Sequence, residues 1–106
     1  MRYDVYEDAG GNYRWRLKSS NGQIVASSGQ SFSSHSNATA ACRNFKTKCS
    51  QWAFEIYADA GGHYRWRAKS RNGEIVASSG ESFASRANAE RAAENVKDNG
   101  GAAAGP

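Results

Sequence analysis

Cysteine, histidine and long apolar runs are scarce in this chain of 106 residues. No stretch approaches the roughly 18 apolar residues that a membrane span needs. Met1 runs straight into Arg2-Tyr3-Asp4-Val5 with no apolar leader, so the expectation is a chain that stays in the cytoplasm. The two histidines, His35 and His63, and the two cysteines, Cys42 and Cys49, share no metal-ligand spacing, which argues against a metal and leaves no cofactor implied. Cys42 and Cys49 lie seven positions apart. On one helix that is about 10 Å of rise, beyond the roughly 7 Å a disulfide tolerates, so the two cannot bridge each other. Free thiols fit a reducing compartment. Cys42, on an apolar helix face, reads as a small core residue; Cys49, at the helix end, is expected to be the more exposed and reactive thiol.

What the chain has in abundance is itself. Displaced by 51 positions, it overlays its own sequence without a gap, and 27 of 46 aligned positions are identical. Asp8-Ala9-Gly10-Gly11-Asn12-Tyr13-Arg14-Trp15-Arg16 returns as Asp59-Ala60-Gly61-Gly62-His63-Tyr64-Arg65-Trp66-Arg67, and Asn21-Gly22-Gln23-Ile24-Val25-Ala26-Ser27-Ser28-Gly29 returns as Asn72 to Gly80. The units span residues 3–48 and 54–99, and together they form one domain over 1–99. The Gly/Ala-rich residues 100–106 read as a flexible tail.

Each unit reads as three strands and a helix. Tyr13–Ser19 alternates, with Tyr13, Trp15 and Leu17 on one face and Arg14, Arg16 and Lys18 on the other. Asn21-Gly22 predicts a two-residue type I′ hairpin, which sets Leu17 opposite Ala26 and Lys18 opposite Val25. The Asp8–Asn12 turn predicts Tyr3 opposite Leu17, Asp4 opposite Arg16 and Val5 opposite Trp15. One face then gathers Tyr3, Val5, Trp15, Leu17, Ile24 and Ala26, and the predicted core comprises Trp15, Trp66, Val5, Ile56, Phe54, Leu17, Ile24 and Ile75. Ser34 is a helix N-cap, followed by a stripe of Ala38, Ala41, Cys42, Phe45 and Cys49; Ala89, Ala92, Ala93 and Val96 make the second stripe. The fold class is α+β: two tandem β-β-β-α units forming one antiparallel sheet, pseudo-two-fold symmetric, with both helices on one face.

These motifs, Tyr-x-Asp-x-Gly-Gly-x-Tyr-Arg-Trp-Arg followed by Asn-Gly-x-Ile-Val-Ala-x-Ser-Gly and a Ser-led helix, resemble the YegP-like family, a tandem-repeat domain of unknown function in bacteria and archaea. The resemblance implies a single antiparallel sheet with both helices on one side. It also implies a short strand after each helix, exchanged between units, although Gly100-Gly101-Ala102-Ala103-Ala104 has little strand character. It implies no activity and no binding residues.

The strongest surface feature is a basic stripe, Arg14, Arg16 and Lys18, repeated as Arg65, Arg67 and Lys69, with Tyr6 and Tyr57 on the same face. A positive face with exposed tyrosines suits single-stranded DNA or RNA. The plainer expectation is a solvated sheet face with Asp4–Arg16 and Glu55–Arg67 pairs, open to a protein partner or to self-association. Charge favours the plainer one. The net +4 lies wholly in residues 1–51, with seven basic against three acidic residues, and the remainder is neutral with seven of each.

The Gly-rich segments precede strands rather than helices, so they are turns and not phosphate cradles. The Ser-rich stretch beside His35 lacks a Gly-x-Ser-x-Gly elbow, and His35 becomes Arg86 in the other copy, which argues against a hydrolase. The expected protein is a small non-enzymatic module that binds a partner.

Overall fold

A computed structural model describes residues 1–106. In chain order the elements are β1 (Arg2–Glu7), β2 (Tyr13–Lys18), β3 (Ile24–Ser28), α1 (His35–Thr47), β4 (Ala53–Ala58), β5 (Tyr64–Lys69), β6 (Ile75–Ser78) and α2 (Arg86–Asn99). They form one six-stranded sheet in the order β1-β2-β3-β6-β5-β4, every pairing antiparallel. Each unit supplies half of the sheet, and the halves meet at β3 and β6.

The first hairpin has the register the alternation requires: Tyr3 faces Leu17, Asp4 faces Arg16, and Val5 faces Trp15. The repeat places Phe54, Glu55 and Ile56 opposite Ala68, Arg67 and Trp66. Asp8 closes the turn by accepting from the Gly10 and Asn12 backbone N–H groups at 2.9 and 3.0 Å, and Asp59 does the same for Gly61 and His63.

The second hairpin departs from expectation. A type I′ turn needs positive φ at both central residues, but among residues 19–23 only Gly22, at 84°, is positive. Gly22 N–H donates to Ser19 O at 3.0 Å and Ser19 N–H to Gln23 O at 2.9 Å, which defines a three-residue loop closed by glycine. The loop shifts the register by one, so Lys18 faces Ile24 rather than Val25. A β-bulge at Val25 then shifts it back, restoring Leu17 opposite Ala26. The two irregularities cancel beyond the bulge. Between them they exchange faces: Val25 packs against the core, and Ile24 shares the outer face with Lys18. The second unit repeats this, with Lys69 facing Ile75 and Val76 against the core. Ile24 and Ile75 therefore leave the predicted core, and Ile75 is the one large hydrophobic residue that is exposed.

The rest of the core lies where the period-two and helical patterns converge. Trp15, Leu17 and Ala26 of one half and Trp66, Ala68 and Ala77 of the other are buried, while Val5, Phe54 and Ile56 pack around them half-buried. Ser34 caps α1 by accepting from Asn37 N–H at 3.1 Å, and Ser85 caps α2 in the same way. The helices lay Ala38, Cys42 and Phe45, and Ala89, Ala93 and Val96, onto this side of the sheet. Phe45 meets Trp15 at 4.9 Å between ring centroids. Both cysteines are free, and both are buried. This corrects the expectation for Cys49: helix α1 stops at Thr47, and the following turn folds Cys49 inward, where its thiol donates to Val96 O at 3.1 Å. Burial raises its pKa, the opposite of what a reactive thiol needs.

The tail packs back onto the domain. After α2, residues Gly100–Ala102 make one 3₁₀ turn, and Ala103 is buried. Ala104 forms a parallel bridge with Arg2, its carbonyl accepting from Tyr3 N–H at 2.8 Å and its N–H donating to Met1 O at 3.1 Å. The second unit thus closes onto the first unit's β1, an exchange reduced to a single bridge. Backbone hydrogen bonding supplies what side-chain strand propensity does not. A Cβ at Gly100 would lie 2.6 Å from Cys49 Sγ, so only glycine fits at this closure.

Two outcomes follow. Gly80→Ala, which would drive a Cβ into Ile24, is expected to destabilise the fold by about 1–3 kcal/mol; a denaturant midpoint unchanged from wild type would contradict the close β3–β6 approach. Deleting residues 100–106 is expected to abolish the slow hydrogen exchange of the Tyr3 amide, which the intact chain should show.

Candidate recognition face

The helices cover one side of the sheet and leave the other open. Across that open side the registers line up one row of residues: Asp4, Arg16, Ser27, Ser78, Arg67 and Glu55, one from each strand. The row reads the same from either end in charge: acid, base, hydroxyl, hydroxyl, base, acid. At its centre the Ser27 and Ser78 hydroxyls approach to 3.5 Å across the seam between units.

The arginines lean outward from this centre. Arg16 Nε donates to Asp4 Oδ2 at 3.0 Å, and its guanidinium lies 4.3 Å from the centroid of the Tyr6 ring. In the second unit Arg67 Nε donates to Glu55 Oε1 at 2.7 Å, with Tyr57 beneath the guanidinium at 4.6 Å. Arg14 reaches back over the turn to Asp8 Oδ2 at 3.1 Å, and Arg65 to Asp59 Oδ2 at 3.0 Å. Lys69 takes the remaining Glu55 oxygen at 3.3 Å. The eight residues read from the sequence, Tyr6, Arg14, Arg16, Lys18, Tyr57, Arg65, Arg67 and Lys69, thus all lie on this face. Five of the six cations are ion-paired within it, on four carboxylates because Arg67 and Lys69 share Glu55, and Lys18 alone has no ion pair.

The Asp8–Arg14 and Asp59–Arg65 pairs were not anticipated. Their signal was an Asp six positions before an Arg across a tight turn. Ile24 and Ile75 were missed as well, and they change the character of the face. The bulges bring them out beside the seam, Ile75 against Gly29 and Ile24 against Gly80; a Cβ at Gly29 would lie 2.5 Å from Ile75 O. The adjacent pairs Ile24-Val25 and Ile75-Val76 break the period-two alternation, and that break was the available clue. The outcome is a hydroxyl-centred seam with an isoleucine at each end, flanked by tyrosine–arginine stacks and paired charges.

The remaining sequence candidates do not converge. The N–H groups of the Gly-rich turns are occupied by Asp8 and Asp59. His35 sits edge-on to Tyr13 at 5.7 Å, with Thr39 Oγ1 3.4 Å from its Nδ1. No three His, Cys, Asp or Glu side chains gather into a metal site. No helix is long and apolar enough to cross a membrane.

Three carboxylates on this side, Asp8, Glu55 and Asp59, titrate low. Asp8 is held below its ordinary value first by the Asn12 backbone N–H and then by Arg14; Asp59 first by Arg65 and then by the His63 N–H; Glu55 first by Arg67 and then by Lys69. A carboxyl whose folded pKa is depressed contributes stability above its unfolded pKa and loses it as pH falls through the folded value. The denaturation midpoint is therefore expected to fall on acidification from about pH 5 toward pH 2, more weakly in an Asp8→Asn/Asp59→Asn variant. Identical pH profiles for the variant and the wild type would contradict this assignment.

Comparison with known proteins agrees with the two-unit architecture. The model of a domain of unknown function, DUF1508, matches residues 8–51 and again 59–104. A UPF0339 protein of Neisseria meningitidis serogroup B is 50% identical over 44 residues, which is 42% of this chain and 77% of that protein. A UPF0339 protein encoded in the ptx operon 5′ region of Stutzerimonas stutzeri is 28% identical over 97 residues, 91% of this chain and 86% of that one. Among solved structures, a UPF0339 protein of Shewanella oneidensis superposes with a TM-score of 0.79 at 17% identity, covering 98% of this chain and 87% of its own. The protein of unknown function yegP from E. coli superposes with a TM-score of 0.75 at 21% identity, covering 98% and 89%. At those identities the superpositions speak to the fold alone.

Proposed function

The chain belongs to the DUF1508 family of domains of unknown function, as a tandem pair of its units, and we propose that it is a non-catalytic module binding a protein partner through the open sheet face. The observation that carries this is the outward turn of Ile24 and Ile75, one at each end of the Ser27–Ser78 seam, on a face otherwise made of Tyr, Arg and paired acids. Apolar side chains set among Tyr and Arg suit a protein–protein interface, where Tyr and Arg are the residues that dominate binding energy. Most of the charges are already paired in place, so they direct orientation and exclude mismatched partners more than they attract a polyanion. The complementary partner surface presents an apolar group to each of Ile24 and Ile75, at the two ends of the seam, and hydrogen-bond acceptors to Arg16 and Arg67.

The arrangement also weighs against face-to-face self-association. Stacking two copies with their central rows aligned would set arginine against arginine and acid against acid. A nucleic-acid reading draws on the two tyrosines and on the unpaired Lys18, but four carboxylates offset most of the other five cations and reduce the counterion release that would drive it.

A photo-crosslinking residue at position 75 is expected to give a discrete adduct in native cell extract, weakened at least about five-fold by Ile24→Asp. The same residue at Arg91 on α2 should give none. Equal labelling from both positions would overturn the assignment of the face. Binding of single-stranded RNA with a steep salt slope, lost on replacing Arg14, Arg16, Arg65 and Arg67 by Ala, would establish the nucleic-acid reading in its place.

A further inference from the structure

The duplication supplies an internal control, because each surface cavity can be compared with its counterpart 51 positions away. An open cavity of about 1040 Å³ lies between the end of α1, the start of β4 and the β5–β6 hairpin. A second cavity of about 520 Å³ lies at the equivalent place between the tail, the start of β1 and the β2–β3 hairpin. Ala53, Lys69 and Ser70 of the first correspond to Ala104, Lys18 and Ser19 of the second. The larger cavity then departs from the repeat in one chemical direction. It is lined by Trp52, Lys48 and Arg71, where the other unit carries Ala103, Asn99 and Ser20. It also carries Glu74 in place of Gln23.

Trp52 is held in a fixed orientation. Its ring stacks on Phe45 at 6.2 Å with a 6° interplanar angle, and its Nε1–H donates to Phe45 O at 3.1 Å. The half-buried indole therefore presents the rest of its surface to the cavity. Lys48 and Arg71 stand exposed at the rim and form no ion pair. Glu74 is oriented by Asn72, whose Nδ2 donates to its Oε1 at 3.1 Å. Helix α1 directs its C-terminal carbonyls here, so an anion would be held by these side chains and not by a helix dipole.

We propose that this cavity binds a free nucleoside monophosphate. The base stacks on Trp52, the phosphate meets Lys48 and Arg71, and Glu74 accepts from ribose hydroxyls. None of these groups belongs to the open-face row, so the site stands independently of the protein-binding reading.

The test is a titration of the full chain with AMP, adenosine or inorganic phosphate, following the indole N–H resonances. Trp15 and Trp66 are fully buried, so the Trp52 signal is the one expected to move. AMP should saturate below about 5 mM, with adenosine and phosphate each at least ten-fold weaker. Arg71→Ala and Lys48→Ala, both at exposed positions, should each weaken AMP about ten-fold, while Lys97→Ala on α2 should leave it unchanged. No saturable shift up to that concentration would overturn the proposal, as would AMP binding indifferent to both cavity variants.

Discussion

The pairing of β3 with β6 is the constraint on which the rest of the molecule depends. Each unit alone is a three-stranded meander under one helix, small enough that its own core would be marginal. Joined edge to edge, the halves become a continuous six-stranded sheet whose central strands are shielded on both edges. The junction is narrow: the paired residues are Ser27 with Ser78 and Ser28 with Ala77. It closes because Gly29 and Gly80 let the opposite strand approach to a distance at which a side chain would collide. Ser28 and Ser79, buried at this seam, accept from the Trp15 and Trp66 backbone N–H groups at 3.4 Å, tying the junction to the two tryptophans at the heart of the core.

Around that seam the halves are no longer equal. Tyr3, Leu17, Cys42 and Phe45 fill the first half of the core where the second has Phe54, Ala68, Ala93 and Val96. The first half therefore carries the larger aromatic cluster of Tyr3, Trp15, Phe45 and Trp52. Burial pushes the Tyr3 hydroxyl far above its ordinary pKa, so it stays neutral beside the two thiols. The tail closes over this fuller half. The gradual divergence of the copies has been absorbed by packing on the helix side and by new surface chemistry at the cavities.

How much of this was legible in the residues follows from the range of the forces involved. Strict alternation in Tyr13–Lys18 and helical spacing from Ala38 to Phe45 reported the buried faces faithfully, because burial of one face is what fixes register. The second hairpin could not be read to the residue. Asn-Gly serves both a two-residue loop and a glycine-closed three-residue loop, and the choice depends on whether the neighbouring strand accepts a bulge. That single residue decided which of Ile24 and Val25 faces the helices. The path of the tail was not legible for a related reason: Gly-Gly-Ala-Ala-Ala has no side-chain preference for a strand, and what docks it is a pair of backbone hydrogen bonds to the opposite end of the chain. Of the candidate face, the charges were visible as a stripe, whereas the pairing of Arg14 and Arg65 with turn aspartates and the outward placement of Ile24 and Ile75 were properties of the turn and the bulge.

The open face is therefore an outcome of turn geometry as much as of composition. Had the hairpins been of the two-residue kind, the isoleucines would lie under the helices, and the outer side would be a plain solvated ladder of ion pairs. The most direct measurement is the set of nuclear Overhauser contacts made by the Ile24 and Ile75 methyl groups. Contacts are expected from Ile24 to Gly80 and from Ile75 to Gly29 and Lys69, with none to the indole protons of Trp15 or Trp66. Strong contacts to those indoles would place the isoleucines in the core and contradict their outward placement.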